Sequence, residues 1–511
     1  MRKQLPINIP TDCNSHNMVK AAGHRDTQTT GHCEVKKVKP KSGEDNALIN
    51  KFINADTANI FVGYLQQAAG PLLTPLVLDA LFNSPPTISI RLNPSKPLSK
   101  EVSSIANEAI DNNEQVPWCP RGFYLGQRPD FTEDPALHAG AYYVQEPSSM
   151  ILQLLEPLLK NKACNILDLC AAPGGKSTHL LSMIPPGSSF MANEVIKSRV
   201  APLRENILKW GYHNAKVVSF DTREICSHTL GTGNYFDFIL VDAPCSGEGM
   251  FRKDPAAVKE WSAQNVEISA ARQKRILSDI WPALVPGGYL AYTTCTFNVY
   301  ENDQNVEWMC NTLGAKVVDL SPLLYSLYMD STSTQPVPTA SNSFAIKVME
   351  ILEKWGIVPA PCGGYRFFPG IAKGEGLFFS LLRKPDEFPE SQARVRFDKG
   401  NGEAFPGRDK SHKSKASGHK SQLPAPEAAL SLQPADNYPT FELSLEQARQ
   451  YLRCQSITLP PGSPLGMLKL TYGNLPLGYG KNIGTRLNNQ YPKNWRIRKQ
   501  PPPEAYLSPD K

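Results

Sequence analysis

From Val116 onward, short apolar runs rich in β-branched residues alternate along the chain with longer stretches of helical pattern. Strands that alternate with helices indicate a parallel sheet joined by crossover helices, and such strands are apolar throughout because both faces of the sheet are covered. We therefore expect an α/β fold of the Rossmann-like, doubly wound kind. The candidate strands are residues 165–169, 189–192, 217–220, 236–241 and 289–293.

Two other segments have strand patterns. Residues 365–368 and 377–382 are separated by Gly-rich turn residues, which predicts an antiparallel hairpin at the edge of the sheet. Residues 87–93 alternate apolar and polar side chains, which predicts a strand with Arg91 facing outward.

Length and composition divide the chain into domains. Its 511 residues exceed what one hydrophobic core holds, since cores stop growing at roughly 250 to 300 residues. Residues 1–45 are polar and lack periodicity, and residues 386–436 are rich in Pro, Ser, Gly and Lys. We expect a disordered or atypical extension (1–45), an N-terminal accessory domain (46–115), the α/β domain (116–385), a flexible linker (386–436) and a small β-rich domain (437–511).

The C-terminal region is strongly basic. Ser444 and Gln447 have the spacing of a helix capping box, and residues 467–472 predict a strand. Residues 467–500 contain seven Lys or Arg and no acid, interleaved with four aromatic residues: Tyr472, Tyr479, Tyr491 and Trp495. This pattern predicts a surface for phosphate contact and base stacking; the alternative is a solvated basic face on a small β domain.

Composition excludes several classes of protein. The net charge of +6 permits an anionic partner but does not require one. The eleven cysteines form no Cys-x-x-Cys pair, which favours a reducing, cytoplasmic setting without disulfides. We expect no signal peptide, no membrane span and no metal site, because neither the apolar runs nor the ligand spacings are present. Nothing in the sequence indicates the oligomeric state.

The strand at 165–169 runs into a loop of small residues followed by a helix. Such a unit lets the backbone approach a ligand closely at the helix N-terminus. The spacing matches neither the Walker A pattern nor Gly-x-Gly-x-x-Gly, so a phosphate ligand has no special support. The expected cofactor contacts from this loop are Cys170, Ala171, Ala172, Pro173, Gly174, Gly175 and Lys176.

Three acids, Asp168, Glu194 and Asp221, lie at or just after strand ends. Glu194 follows the second strand, where an acid can accept hydrogen bonds from both hydroxyls of a ribose. Asp221 is placed to reach an adenine amino group. Such an acidic rim repels a triphosphate and suits a sulfonium cation such as S-adenosylmethionine. The alternative is that these acids are helix caps or surface charges.

Two cysteines, Cys245 and Cys295, follow two different strands of the same sheet, at the edge where such folds hold substrates. C5 of cytosine accepts a methyl group only after a thiolate adds to C6 and makes C5 an enamine-like carbon. Asp242 is the best-placed group to meet the negative charge that develops at N3 and O2, and a second cysteine can assist the final elimination. Six other cysteines fit buried, structural positions: Cys119, Cys164, Cys226, Cys310, Cys362 and Cys454.

These motifs resemble those of the Sun-type RNA 5-methylcytosine methyltransferases, and the ends of the chain are most similar to the RsmF-type branch that modifies ribosomal RNA. The resemblance covers roughly residues 46–385 and excludes residues 1–45, while residues 320–355 look longer than usual. It rests on residues 88–93, 142–150, 168–177, 242–253, 293–296 with 301–302, and 366–376, and in the tail on 475–481, 486–489 and 491–492.

The resemblance implies a role for each site residue. Cys295 would be the nucleophile and Cys245 the residue that releases the product. Asp242 would contact the base and the methionine part of the cofactor, while Glu194 would bind the ribose and Asp221 the adenine.

Two further residues and the substrate follow from the same resemblance. Lys176 would approach the cofactor or the catalytic aspartate, and Arg199 follows the ribose acid as the family pattern has it. The tail resembles a PUA-like RNA-binding domain, which implies an RNA substrate: 16S ribosomal RNA, with transfer RNA as the alternative.

Other functions remain open from the sequence. A DNA or protein methyltransferase is possible, although DNA enzymes use the cysteine of a Pro-Cys element, which would promote Cys245 instead of Cys295. A catalytically idle, RNA-binding assembly factor is the alternative from another class. Arg252 and Lys253 could bind phosphate or form a solvated basic pair.

Overall fold

The computed structural model describes residues 54–96, 98, 102–112, 114–232, 235–330, 342–386, 426–432 and 437–499. The expected extension (1–45) and most of the expected linker (386–436) lie outside the described residues. Within the described ranges, no helix is long and apolar enough to cross a membrane.

The described residues of the N-terminal part form a long helix, two short helices and a three-stranded sheet. Its elements are α1 (Ala55–Asn83), β1 (Ile88–Leu92), α2 (Ser104–Asp111), β2 (Gly122–Leu125), α3 (Pro135–His138) and β3 (Tyr142–Val144). Helix α1 bends where Gly70 adopts a φ of 74° ahead of Pro71. Strand β1 lies between β2 and β3 and pairs antiparallel with both. The accessory sheet therefore draws strands from both sides of residue 115.

The prediction that Arg91 faces outward is wrong. Its guanidinium is buried, donates to Gln145 and Thr178 at 2.7 Å each, and lies 4.4 Å from the ring centroid of Trp210. Strand β1 is covered on both sides because the accessory sheet packs against the helices of the α/β domain. Arg91 therefore joins the two domains.

The α/β domain is built on a sheet of nine strands in the described part of the chain. The strands are β4 (Asn165–Asp168), β5 (Ser189–Asn193), β6 (Lys216–Val218), β7 (Phe236–Asp242), β8 (Leu284–Thr294), β9 (Lys316–Val317), β10 (Ile357–Pro359), β11 (Tyr365–Phe367) and β12 (Leu377–Arg383). The helices are α4 (Glu156–Leu159), α5 (Gly175–Leu181), α6 (Lys197–Trp210), α7 (Thr222–Thr232), α8 (Pro255–Glu260), α9 (Ala263–Ile280), α10 (Asp303–Leu313), α11 (Ser321–Asp330) and α12 (Asn342–Trp355). Strands β4 to β8 are parallel in the order β8-β7-β4-β5-β6, which confirms the expected Rossmann-like fold.

The predicted hairpin forms, but not at the edge. Strand β12 pairs with β8 on one side and β11 on the other, and β10 pairs with the far side of β11. Strand β12 is buried along almost its whole length, which is typical of a strand inside a sheet, whereas β10 ends in Pro359, which lacks an N–H and suits an edge.

Over residues 437–499, the C-terminal domain is a four-stranded sheet with one α-helix. Its elements are β13 (Thr440–Glu442), α13 (Leu445–Leu452), β14 (Gly466–Tyr472), β15 (Leu475–Asn482) and β16 (Leu487–Asn489). The predicted capping box of Ser444 and Gln447 is confirmed. Apolar side chains of this domain and of the accessory sheet pack into one hydrophobic core, for example Leu443 and Leu468 with Ile90.

The predicted stacking surface is wrong for three of its four aromatic residues. Tyr479, Tyr491 and Trp495 are buried because they fill the core under the small sheet, where Tyr491 contacts Trp495 edge to face. Tyr472 is partly exposed. The basic residues are at the surface, and six are exposed: Lys481, Arg486, Lys493, Arg496, Arg498 and Lys499.

Candidate active site

The parallel strands bring the sequence-predicted residues to one edge of the sheet. Asp168 ends β4 and Asp242 ends β7, while Glu194 and Cys295 directly follow β5 and β8. Strands β4 and β7 are neighbours, and the chain order reverses between them. This is the crevice where open α/β sheets bind ligands.

The loop of small residues wraps around the N-terminus of α5. Gly174 has a φ of 113°, a backbone conformation that favours glycine. A Cβ on Gly175 would lie 3.2 Å from the Tyr143 ring, so this position is also restricted to a small residue. The loop is fixed from β5, since the Ala171 N–H donates to the Asn193 carbonyl at 2.8 Å.

The expected ribose acid is held in place by its neighbours. Glu194 is buried, accepts from the Ile196 N–H at 2.8 Å and forms an ion pair with Arg199 at 3.2 Å. Arg199 also donates to the Ala172 carbonyl at 2.7 Å, which connects the small-residue loop to Glu194. Val195 and Ile196 are 58% and 50% exposed, an apolar surface beside the acid.

Asn193 organises the same edge, although sequence analysis assigned it no role. Its side chain donates to the carbonyls of Leu169 and Phe220 at 3.1 Å each and accepts from the Phe220 N–H at 2.9 Å. It thereby ties together the chain segments that follow β4 and β6. Asp221, the expected adenine acid, comes next and is partly exposed, 3.8 Å from Arg275.

Asp168 supplies a test of whether these residues fit the cofactor. Its Oδ2 accepts from Ser177 at 2.6 Å, whereas its buried Oδ1 has no hydrogen-bond partner among the described residues. Burial raises the pKa of Asp168 to about 7. An acceptor without a donor, beside a glycine turn and a buried ribose-type acid, fits a cationic nucleoside such as S-adenosylmethionine.

Asp242 lies in the centre of the site with both oxygens engaged. Oδ1 accepts from the Thr293 hydroxyl at 2.7 Å, and Oδ2 pairs with the Lys176 ammonium at 2.8 Å. Burial disfavours the charged form of Lys176, but the Asp242 contact outweighs it and the pKa of Lys176 is raised, with a further contribution from Cys295. The site therefore holds a cation close to a thiol.

The two expected reactive cysteines are adjacent. The sulfurs of Cys245 and Cys295 are 3.2 Å apart and both side chains are half-buried. The pKa of Cys245 is raised well above its ordinary value because its sulfur hydrogen-bonds Cys295 and is desolvated. Cys245 therefore holds its proton and can donate it in a hydrogen bond to Cys295.

Two buried carboxylates that the sequence-based predictions do not include support the two thiols. Glu248 accepts from the backbone N–H groups of Phe297 and Asn298 at 2.6 and 3.1 Å, and Glu301 accepts from that of Ser246 at 3.0 Å. Both carboxylates therefore link the chain after Cys245 to the chain after Cys295. Their sequence signal is an acid a few residues beyond each reactive cysteine.

The two sequence-based interpretations of Arg252, as a phosphate ligand or as a solvated basic residue, are both wrong. Its guanidinium forms a buried ion pair with Glu375 at 2.9 Å and also donates to the Gly374 carbonyl, so it is neither a phosphate ligand nor solvated. Lys253 is exposed. Among the described residues, no group of three or more His, Cys, Asp or Glu side chains could hold a metal ion.

The Rossmann-like fold and the residues at the carboxyl ends of strands β4 and β5 define the class of protein: this is an S-adenosylmethionine-dependent methyltransferase. Family comparisons agree along the chain. Residues 152–383 match the family described as 16S rRNA methyltransferase RsmB/F, residues 61–147 match the N-terminal domain of 16S rRNA methyltransferase RsmF, and residues 438–497 match the methyltransferase RsmF PUA domain.

Individual relatives give the same assignment. The chain is 31% identical to ribosomal RNA small subunit methyltransferase F of Cronobacter sakazakii, over 74% of this chain and 83% of the relative, and 31% identical to that of Citrobacter koseri, over 74% and 84%. The crystal structure of PH0851 superposes with a TM-score of 0.51 at 24% identity, over 68% of this chain and 70% of that one, and supports the fold. The chain belongs to the 16S rRNA methyltransferase RsmB/F family.

Proposed function

We propose that the protein methylates C5 of a cytosine in 16S ribosomal RNA, with Cys295 as the covalent nucleophile and Cys245 as the residue that assists product release. The observation that carries this proposal is the 3.2 Å approach of the two sulfurs beside the Lys176–Asp242 ion pair. Two thiols at one catalytic edge, one of which holds its proton, suit a reaction that forms and then breaks a carbon–sulfur bond.

Covalent attack gives the two thiols different tasks. Cys295 attacks C6 as a thiolate, which the Lys176 ammonium and the hydrogen bond from Cys245 stabilise. The new S–C6 bond displaces the C5–C6 π electrons toward N3 and O2. Asp242 and the Lys176 ammonium bound to it would stabilise the negative charge at N3 and O2 with a hydrogen bond or a proton. C5 thereby becomes nucleophilic.

The cofactor edge positions the methyl donor. Glu194 would accept from the ribose, Asp221 from the adenine and Asp168 from an ammonium of the amino-acid part, while Arg199 keeps the loop of residues 170–176 against Glu194. S-adenosylmethionine, when bound, supplies an electrophilic methyl group.

Release reverses the covalent step. C5 now carries a methyl group and a proton. The proton passes to solvent, its electron pair restores the C5–C6 double bond, and the electrons of the C6–S bond return to Cys295. The Cys245 thiol donates a hydrogen bond to the departing sulfur and lowers the cost of its negative charge.

We assign the accessory domain and the PUA domain to RNA binding, with the exposed basic residues of the C-terminal domain as contacts for phosphates. The relatives' names support 16S ribosomal RNA as the substrate and, with it, a cytoplasmic location. Transfer RNA is the alternative that the experiment must separate.

The test combines product mapping with trapping of the intermediate. Purified protein, S-adenosylmethionine and either 16S ribosomal RNA, small ribosomal subunits or transfer RNA are incubated, and bisulfite sequencing locates 5-methylcytosine. On denaturing gels, Cys245→Ala accumulates a protein–RNA adduct, and Cys295→Ala forms neither adduct nor product.

Three results would contradict the proposal. An adduct with Cys295→Ala but not with Cys245→Ala would make Cys245 the nucleophile and Cys295 the residue that assists release. Methylation of transfer RNA alone would replace the substrate. Failure to bind S-adenosylmethionine by calorimetry would favour an idle assembly factor.

A further inference from the structure

We propose that Glu301 is a positioning residue for product release, which holds the Cys245 thiol against Cys295 by fixing the backbone on both sides of Cys245. The inference rests on the release role proposed above for Cys245. It assigns to Glu301 a function in one step of the reaction rather than in the stability of the whole site.

Both backbone groups that flank Cys245 are held by one pair of buried side chains. Oε2 of Glu301 accepts from the Ser246 N–H at 3.0 Å and from Nε2 of Gln273 at 2.7 Å. The same Gln273 nitrogen donates to the Pro244 carbonyl at 2.9 Å. The chain before and after Cys245 is therefore fixed to a single carboxylate, directly and through Gln273.

The other side of Glu301 is anchored beyond Cys295. Oε1 of Glu301 accepts from the Asn298 side chain at 2.8 Å, and the Glu301 N–H donates back to Asn298 at 2.9 Å. A second link joins the Ser246 and Thr296 hydroxyls at 2.8 Å. None of these contacts reaches the backbone of Cys295 itself, so loss of the Glu301 carboxylate displaces Cys245 first.

Only a carboxylate satisfies this position. Three donors face it, from the Ser246 backbone, Gln273 and Asn298, and a carboxylate accepts from all of them. A glutamine would turn its own NH₂ group toward at least one of these donors. Because the site is buried, such an unmet donor is costly and the Cys245 loop must shift.

Protonation should affect the same contacts. Burial raises the pKa of Glu301 to about 7, and Glu248 adds to the shift. The other titratable groups facing it are the Cys245 thiol and the Tyr292 hydroxyl, which donates to the Glu301 carbonyl at 2.6 Å. Both keep their protons at neutral pH because their pKa values are raised well above the ordinary ones. Release should therefore slow as the pH falls below about 7, as Glu301 takes up a proton.

The experiment separates methyl transfer from release. Single-turnover reactions with labelled S-adenosylmethionine and substrate RNA measure methyl transfer, and denaturing gels measure decay of the adduct, between about pH 6 and 8.5. We expect Glu301→Gln to slow release about tenfold or more, to change methyl transfer less than about threefold, and to flatten the pH dependence of release. Glu307→Gln, an exposed charge on helix α10, which begins two residues after Glu301, is the matched control and should change neither step.

The outcomes leave the inference supported or overturned. Equal loss of both steps in Glu301→Gln, or loss of neither, overturns it. If that variant does not fold, Gln273→Met, which removes the contact to Pro244, carries the same test. If Cys245→Ala itself accumulates no adduct, the proposed release role of Cys245 fails, and that result is distinct from failure of Glu301→Gln alone.

Discussion

At the scale of single residues, burial of Asp168 lowers the free energy of unfolding, although the same side chain is the proposed ligand of the cofactor. An unfolded aspartate ionises near pH 4, whereas burial keeps Asp168 protonated to about pH 7. The unfolded state therefore loses its proton first, and the stability of the fold decreases as the pH rises through this window. The shift corresponds to about 4 kcal/mol at pH above 7.

Asp168→Asn tests this conflict. Without ligand, the variant should be more stable than the wild type at pH 8 and lose that advantage at pH 5, as thermal unfolding would show. Its affinity for S-adenosylmethionine should fall about tenfold or more, because a charged acceptor is lost. Asp237→Asn, near the start of the neighbouring strand β7 and so at the opposite edge of the sheet, is the control. Unchanged affinity in a calorimetric titration would remove Asp168 from the cofactor site.

At the scale of elements, the loops after β7 and β8 meet at Gly249. Its N–H donates to the Cys295 carbonyl at 2.7 Å, and a Cβ there would lie 2.8 Å from that oxygen and 3.1 Å from the carbonyls of Glu375 and Gly376. These are backbone atoms, which do not move aside as a flexible side chain does. The register of the two reactive loops therefore depends on the absence of a side chain at this position.

Gly249→Ala should force these loops apart. We expect a loss of about 1 to 3 kcal/mol of stability and a reduction of at least about tenfold in methyl transfer, measured by chemical unfolding and by single-turnover assays. Gly63→Ala in helix α1, where a Cβ would meet nothing within 4 Å, is the control. It should stabilise the protein by up to about 1 kcal/mol with activity intact. Full activity of Gly249→Ala would refute the crowding argument.

At the scale of the whole molecule, a buried ion pair joins the N-terminal part, which holds the three-stranded sheet, to the C-terminal domain. Glu133, which lies just before helix α3, pairs with Arg453, and its backbone carbonyl accepts from Arg449 at 3.1 Å. The Glu133 and Arg453 side chains are 8% and 9% exposed. Lys499 and Asp130 pair nearby at 2.6 Å, but in solvent.

Glu133→Ala should lower the free energy of unfolding by about 3 to 5 kcal/mol, because it leaves a buried guanidinium without its partner. Asp130→Ala, in the exposed pair, should lower it by less than about 1 kcal/mol. Glu133→Ala should also weaken RNA binding without changing affinity for S-adenosylmethionine, as fluorescence and calorimetric titrations would measure. Equal stability losses in the two variants would show that burial does not decide the strength of these pairs.

The position of the candidate site residues at one edge of the sheet could be predicted from the sequence, because these residues directly follow strands. Cys295 and Asp242 need only the rule that parallel strands end on one side of the sheet. Arg91 was misplaced because its partners, Thr178 and Trp210, lie far along the chain, and Trp495 because its core is shared with another domain. Burial that depends on such distant partners leaves no local pattern.

The shared core of the accessory and C-terminal sheets also sets an order of folding. Ile90, Phe123 and Leu125 pack in the same cluster as Leu443 and other residues of the C-terminal domain, which the ribosome makes roughly 300 residues after β3. At about 5 to 20 residues per second, that is a wait of about 15 to 60 s. Until then this apolar face lacks its C-terminal cover, so the nascent chain exposes apolar surface that the finished protein buries.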